Sequence, residues 1–400
     1  MGSERPLPEA VPEAVVAVLD ALFGRPPGGL ALHEPWLKGR EGEAVAAAIA
    51  TGWVSSAGPE VARFEALLAE ACGVPHAVAV SSGTAALQVA LLLAGVEPGE
   101  EVLLPALTFV GTANAVVHAG AVPHFCDSEA ATLGLCPAAL EARLARIAEP
   151  AGGGLRNRES GRRIAALLPV HVFGHPAELE GLLALAARHG LPLVEDAAEA
   201  LGSRRRGRPA GGFGRLAALS FNGNKIVTTG GGGAVLTADP ELARAARHLT
   251  STAKLAHPWR FDHDRVAFNY RLPNLNAALG VAQLERLPAF LAAKRRLARR
   301  YEAAFAGVAG VSLQPEPAGC ESNFWLNALL LDQPDRGLRD RVLQAANDAG
   351  YRLRPAWTLL HRLPMYAAAP RAPLPVAEAL EARIVNLPSS AGLELDRPGE

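Results

Sequence analysis

The chain has 400 residues, half of them hydrophobic and a fifth charged, with a formal net charge of −1. That length asks for about two domains, and that balance for a soluble globular protein with ample core material. The near-neutral charge argues against a general nucleic-acid binder, which needs an excess of basic side chains against phosphate, and no apolar run is long enough to span a bilayer.

Met1 to Ala10 carries Glu4, Pro6, Pro8 and Glu9 in place of a signal-peptide pattern. Cys72, Cys126, Cys136 and Cys320 have neither metal-ligand nor redox-pair spacing. The expectation is a cytoplasmic protein with reduced thiols and no bound metal. Residues 10–24 predict a short helix stopped by Gly24 and the Pro26-Pro27 pair, and Leu30 to Trp36 reads as extended. Gly42 to Thr51 is helical by composition, Gly52 to Ser56 is a loop, and Glu60 to Cys72 is a helix ended by Gly73.

From there strands alternate with helices. Ala77–Val80 leads to a helix over Ala85–Leu93, Glu101–Leu104 to one over Thr108–His118, and Val122–Cys126 to one over Pro137–Ile147. Ile164–Val172 then leads to a helix over Ala177–His189, followed by a strand over Leu191–Val194. Such alternation predicts an α/β fold with a mostly parallel sheet covered on both faces, its ligands gathered beyond the carboxyl ends of the strands. The glycine- and arginine-rich residues 150–163 read as a flexible, solvated loop, and 203–214 as an exposed hairpin whose Arg204-Arg205-Arg206 run is surface chemistry.

Leu216–Phe221 is an apolar strand, followed by Asn222-Gly223-Asn224-Lys225 and, after Ile226 to Thr229, by the glycines Gly230 to Gly233. Ala234–Thr237 predicts a strand and Glu241–Leu249 a helix, before a polar, aromatic segment over 250–271. Asn274 then caps a long helix to Phe305 that Pro288 kinks or splits. A strand over Phe324–Leu331, a helix over Arg336–Ala349 and a proline-rich tail complete the chain. The expected organisation is an N-terminal helix and arm over 1–40, a large domain over 41–290, and a small C-terminal α+β domain over 291–400.

Three places can carry chemistry. Lys225 lies between an apolar strand and a glycine run; a lysine placed there is either an ordinary strand-end residue or a nucleophilic amine able to form a Schiff base. Ser82-Gly83-Thr84 at a strand-to-helix junction is either a plain helix cap or an anion site of free backbone N–H groups. Asp196, beside Glu195 at a strand end, can hold a protonated heterocycle nitrogen. A magnesium site there would want more oxygen ligands than Glu199 adds, and His171 and His175 are not spaced as a zinc pair on a helix. No phosphate-binding Gly-x-x-x-x-Gly-Lys-Ser/Thr or dinucleotide Gly-x-Gly-x-x-Gly pattern is in place. Together the three places follow the order anion cradle, ring-nitrogen partner, reactive amine.

Longer stretches carry a resemblance: Leu32-His33-Glu34-Pro35, Thr51 to Ser56, Ser82 to Leu87, Pro105 to Phe109, Glu195 to Glu199, Phe221 to Lys225, Asn269 to Asn274, His361 to Tyr366 and Asn386 to Ser390. Through them the chain resembles the DegT/DnrJ/EryC-type sugar aminotransferases, fold type I pyridoxal-phosphate enzymes with an aspartate-aminotransferase-like architecture. Within these it most resembles the branch serving legionaminic-acid and bacillosamine-type pathways. The resemblance implies pyridoxal 5'-phosphate bound by Ser82, Gly83, Thr84 and Ser220 at the phosphate, Asp196 at the pyridine nitrogen, Phe109 on the ring and Lys225 as Schiff-base and acid–base catalyst. It also implies a homodimer in which Asn269 reaches the neighbouring phosphate. Glu199 stands near the cofactor's phenolic oxygen, where many relatives carry Gln or His; a carboxylate repels that oxygen unless protonated. Ala267-Phe268 replaces a common Gly-Tyr, a packing change, and the 150–163 segment looks like an insertion.

The implied reaction moves an amino group from L-glutamate to C4 of a nucleotide-linked 4-keto-6-deoxy sugar, a UDP-N-acetylamino sugar, for surface polysaccharide or nonulosonic acid synthesis. Lys254, His263, Arg354, Trp357 and His361 are candidate substrate contacts. The alternatives are a perosamine-type aminotransferase on a GDP-sugar and a non-catalytic pyridoxal-binding regulator, the latter lacking any helix-turn-helix segment. A related sugar dehydratase of the same fold carries a histidine in place of the lysine.

Overall fold

A four-stranded sheet runs in the order His76–Val80, Gly233–Thr237, Leu216–Ser220, Val194–Asp196 in the computed structural model, which describes residues 10–397. The first nine residues of the expected N-terminal arm, with the signal-free stretch read there, lie outside the described residues. A five-stranded sheet runs in the order Val122–Cys126, Glu101–Pro105, Arg163–Leu167, Gly154–Asn157, Ala148–Ala151. Parallel bridges from Leu167 to Leu193 and from Val170 to Asp196 join the two edge to edge. Pairing is parallel around Val194–Asp196 and Glu101–Pro105, as the alternation predicts. Gly233–Thr237 is antiparallel to both its neighbours. It returns directly from Leu216–Ser220 through the Lys225 turn, and a return without a crossover helix has to be antiparallel.

Helices cover the sheets because their faces demand it. Gly83–Leu93 is apolar nearly all round and buried along its length, as a helix sandwiched between sheet and neighbours must be. Ser82 starts it, its Oγ accepting the Ala85 N–H at 3.1 Å. Behind it Pro240–Thr250 is amphipathic, with Asp239 as its cap. A second, antiparallel sheet runs Val311–Leu313, Asn327–Leu331, Ile384–Leu387, Arg354–Pro355. The helices Val11–Phe23 and Arg336–Asp348 share its apolar core, through Val15, Leu19, Val342, Leu329 and Val385. No helix among the described residues is long and apolar enough to cross a membrane.

Four expectations need correction. Residues 150–163 are not a solvated loop: Ala148–Ala151 and Gly154–Asn157 form a hairpin that extends the sheet at Arg163–Leu167. The glycines form its tight turn, Gly152 and Gly153 taking positive φ. Its arginines are paired, Arg156 with Glu149 at 2.6 Å and Arg163 with Glu100 at 2.7 Å. Second, the hairpin over 203–214 exists, but Arg205 is buried in it, bonded to Glu178 at 3.0 Å and to Glu180. Third, Asn274 is not a cap. Pro273 occupies that position, and the Asn274 side chain accepts the Glu60 N–H at 2.9 Å and donates to the Trp53 carbonyl at 2.7 Å. The helix is split into Asn274–Leu284 and Leu287–Phe305, with Pro288 in the first turn of the second, where its missing N–H is not needed. Fourth, the strand read over 164–172 ends at Leu167 and the chain turns through Val172–Gly174, with Phe173 at φ 56°.

The inserted hairpin is pinned by one buried acid. Glu101 is fully buried and accepts hydrogen bonds from His124 at 2.8 Å, Asn157 at 2.8 Å and Ser160 at 2.5 Å. Removing it strands the buried His124 and Asn157 and the half-buried Ser160. Glu101→Ala is expected to cost about 3 kcal/mol in urea unfolding; a loss below about 1 kcal/mol contradicts the pinning role.

Candidate active site

A cavity of about 260 Å³ opens at the carboxyl ends of the strands around Asp196. One wall is the turn Ser82-Gly83-Thr84. The N–H groups of Gly83 and Thr84 lie in the first turn of their helix, where the backbone offers no acceptor. Ser220 faces them so closely that a Cβ on Gly83 would stand 2.7 Å from the Ser220 Cβ. The glycine run closes this wall: Gly233 packs on the Ser82 carbonyl, leaving no space for a side chain. The run therefore abuts the Ser82–Thr84 turn more than the lysine.

Asp196 forms the floor, buried at the end of its strand. Thr112 Oγ1 donates to its Oδ2 at 2.7 Å and the Ala198 N–H to its Oδ1 at 3.2 Å. Burial pushes its carboxyl above the ordinary value, and the Thr112 bond offsets only part of that rise. Its neighbour Glu195 points the other way, taking hydrogen bonds from His171, Gly211, Phe213 and Gly214. That explains the acidic pair without a metal: one acid braces the fold and the other faces the cavity. Among the described residues no cluster suits a metal ion.

Lys225 Nζ lies 3.3 Å from Glu199 Oε1 and 3.9 Å from the centroid of the Trp325 ring. Glu199 is buried, its Oε2 accepting the Phe173 N–H at 2.9 Å. Burial pushes its carboxyl up to about 7 against the pull of the lysine. Near neutral pH this carboxyl thus carries a proton part of the time, which meets the condition for a carboxyl facing a phenolic oxygen.

Trp325 arrives from the far end of the chain. Asn323 docks its segment, donating to the carbonyls of Glu199 at 2.8 Å and Leu201 at 3.0 Å and accepting the Trp325 N–H at 2.8 Å. The indole N–H then donates to the Asn224 carbonyl at 2.7 Å.

Of the residues singled out from sequence, Ser82, Gly83, Thr84, Phe109, Asp196, Glu199, Ser220, Lys225 and Trp357 all line this cavity. The others lie elsewhere in the chain. Lys254 stands over the Phe261 ring at 3.8 Å and bridges to His263, whose Nδ1 meets the Thr252 carbonyl. Arg354 bonds Asn347 and the Leu353 carbonyl. His361 pairs with Glu378 at 3.6 Å. Asn269 is exposed, its backbone bridged to Ser251. Thr112, Trp325, Asn222 and Asn224 line the cavity without having been singled out. The Thr108/Thr112 spacing of one helical turn, bonded at 2.8 Å, is a readable signal; Trp325 carries none.

The pH behaviour of Glu199 is measurable in the cofactor-free protein. Its folded value of about 7 exceeds the ordinary 4.5, so its contribution to stability is fully present below about 4.5 and is lost as pH rises through about 7. Glu199→Gln is expected to remove that decline, gaining about 2–3 kcal/mol on wild type between pH 5 and pH 8 in urea unfolding. Parallel pH dependences for the two proteins contradict the assignment.

Comparison with known proteins finds one family. Residues 35–398 match the DegT/DnrJ/EryC1/StrS aminotransferase family. The chain is 36% identical over 372 residues to the GDP-perosamine synthase of Caulobacter vibrioides, covering 92% of this chain and 96% of that protein. It is 34% identical to the dTDP-4-dehydro-2,3,6-trideoxy-D-glucose 4-aminotransferase of Saccharopolyspora spinosa, covering 91% and 92%. Its fold superposes on the crystal structure of the aminotransferase TlmJ from Streptoalloteichus hindustanus with a TM-score of 0.80 at 33% identity, covering 90% and 93% of the two chains.

Proposed function

Because the chain belongs to the DegT/DnrJ/EryC1/StrS aminotransferase family, whose members depend on pyridoxal phosphate, we propose that it moves an amino group from L-glutamate to C4 of a nucleotide-linked 4-keto-6-deoxy sugar. The observation that carries this is the convergence of Lys225, Asp196 and the Ser82–Thr84 helix start on one cavity. The first reading takes a UDP-N-acetylamino sugar. A GDP-sugar is the second, favoured by relatives named GDP-perosamine synthase from Caulobacter vibrioides and others. The branch within the family and a cytoplasmic setting follow the same resemblance.

The residues present fit pyridoxal 5'-phosphate. Asp196, a buried carboxyl raised by burial and facing no cation at hydrogen-bond distance among the described residues, suits a protonated ring nitrogen. The free N–H groups of Gly83 and Thr84, with the Ser82 and Ser220 hydroxyls, suit the phosphate, and Phe109 suits the ring face. When bound, the group supplies an electron sink for the carbon that loses or gains the amino group. Thr112, donating to Asp196 Oδ2, would hold that carboxyl in place for a ring nitrogen. Lys225 Nζ would be the general base and acid, taking the proton from the amine-bearing carbon of the donor in the first half-reaction and giving one to the former keto carbon of the sugar in the second. Trp325 covers one side of Lys225, limits water there and fixes its height over the cavity.

We further infer a homodimer. Asn269 is exposed on the segment that also exposes Trp259, Phe261 and Val266, at 77%, 74% and 96%, and a paired copy would cover those side chains and take Asn269 at its own phosphate site.

Lys225→Ala is expected to keep the fold and lose all turnover. Activity is assayed with L-glutamate and a panel of UDP-, GDP- and TDP-linked 4-keto-6-deoxy sugars, followed by identification of the aminated product. Wild-type turnover in the variant, or no aminated product from any sugar with wild type, overturns the proposal. Sedimentation of the full chain is expected to give a dimer; a monomer at assay concentration contradicts the shared site.

A further inference from the structure

The turn that carries Lys225 also carries two carboxamides with unspent hydrogen-bonding capacity. Asn222 and Asn224 both line the cavity and both are exposed. Asn222 Nδ2 donates to Asn224 Oδ1 at 3.2 Å, and neither side chain has another partner among the described residues. The backbone beneath them is fixed. The Lys225 N–H donates to the Asn222 carbonyl at 3.0 Å, and the Trp325 indole N–H to the Asn224 carbonyl at 2.7 Å.

A side-chain amide holds both donors and an acceptor. Their mutual bond therefore leaves a donor on one and an acceptor on the other, whichever way round the amides stand. The charged groups of the cavity, Asp196, Glu199 and Lys225, are more deeply set, while the exposed Phe109 ring and Trp357 stand with centroids 6.5 Å apart. A neutral donor–acceptor pair in the same cavity as two aromatic rings suits a neutral sugar ring. A carboxylate, which only accepts, would meet a carbonyl oxygen of the pair unfavourably.

We propose that Asn222 and Asn224 together read a paired donor and acceptor on the C2–C3 edge of the sugar ring. Two ring substituents present that chemistry: a secondary amide, as in an acetamido group, and a vicinal diol. The inference rests on the aminotransferase reading, and specifies which residues of this chain decide the acceptor sugar.

The test uses the full-length holoenzyme and a matched pair of 4-keto-6-deoxy sugars. They carry the nucleotide that the product panel identifies and differ only in an acetamido or a hydroxyl group at C2. KM and kcat are measured for wild type, Asn222→Ala, Asn224→Ala and the milder Asn222→Ser, which keeps a hydroxyl donor and acceptor should an alanine variant fail to fold. KM for one of the two sugars is expected to rise about tenfold in each alanine variant, with kcat changed less than about threefold. A rise confined to the acetamido sugar assigns the secondary amide, and one confined to the hydroxyl sugar assigns the diol. KM values within about twofold of wild type for both sugars, or kcat losses with KM unmoved, overturn the proposal. The absorbance response of wild type to L-glutamate is recorded first; its absence counts against the aminotransferase reading and not against the carboxamides.

Discussion

Taking an amine and two carboxyl groups out of water at the ends of adjacent strands is the constraint on which this structure turns. Isolated buried charges are costly, and each of the three is met by a specific partner. Asp196 has the Thr112 hydroxyl and a backbone N–H, Glu199 has the Phe173 N–H, and Lys225 has Glu199 and the face of Trp325. The compensation is incomplete, since both carboxyls are held above their ordinary values by burial. A site left with that imbalance favours a ligand that brings positive charge to Asp196 and a hydrogen-bonding oxygen to Glu199, and pyridoxal phosphate has both.

The fold delivers these groups by topology. Parallel strands put Asp196 and the start of the Lys225 turn at the same end of the sheet, while the antiparallel return of Gly233–Thr237 brings the glycine run against Ser82. The C-terminal half supplies the lid over the lysine, docked through Asn323 onto the carbonyls that follow Glu199. Lys294, fully buried on the helix Leu287–Phe305, holds that docking from behind. It donates to the carbonyls of Trp325 and Ser389 and meets His33 Nε2 at 3.0 Å. Segments from the two ends of the chain thus meet behind the residue that covers Lys225.

Legibility in the sequence followed the range of the interactions. Lys225, Asp196 and Ser82–Thr84 could be found because each is announced by its neighbours: an apolar strand before it and a glycine or helix start after it. Trp325 acts across about a hundred residues of chain and nothing adjacent distinguishes it from a core residue, while Thr112 acts across about eighty and is marked only by Thr108 four positions before it. The 150–163 hairpin failed for a related reason. Its glycines and arginines resemble a solvated loop until the exposed edge at Arg163–Leu167 and the buried Glu101 give them something to pair with. Arg205 likewise reads as surface charge, because Glu178 and Glu180 come from the start of the helix Leu179–His189, at separations of 27 and 25 residues. For the peripheral candidates Lys254, His263, Arg354 and His361, chemistry-bearing type was the only signal, and within their own chain each has a local partner instead.

The central claim is that Lys225 is the amine that takes the cofactor. The most direct measurement is borohydride reduction of the protein reconstituted with pyridoxal 5'-phosphate, followed by peptide mapping by mass spectrometry. The account predicts a single phosphopyridoxyl group on Lys225. A label on Lys294 or Lys254, or one spread over surface amines with Lys225 unmodified, would contradict it.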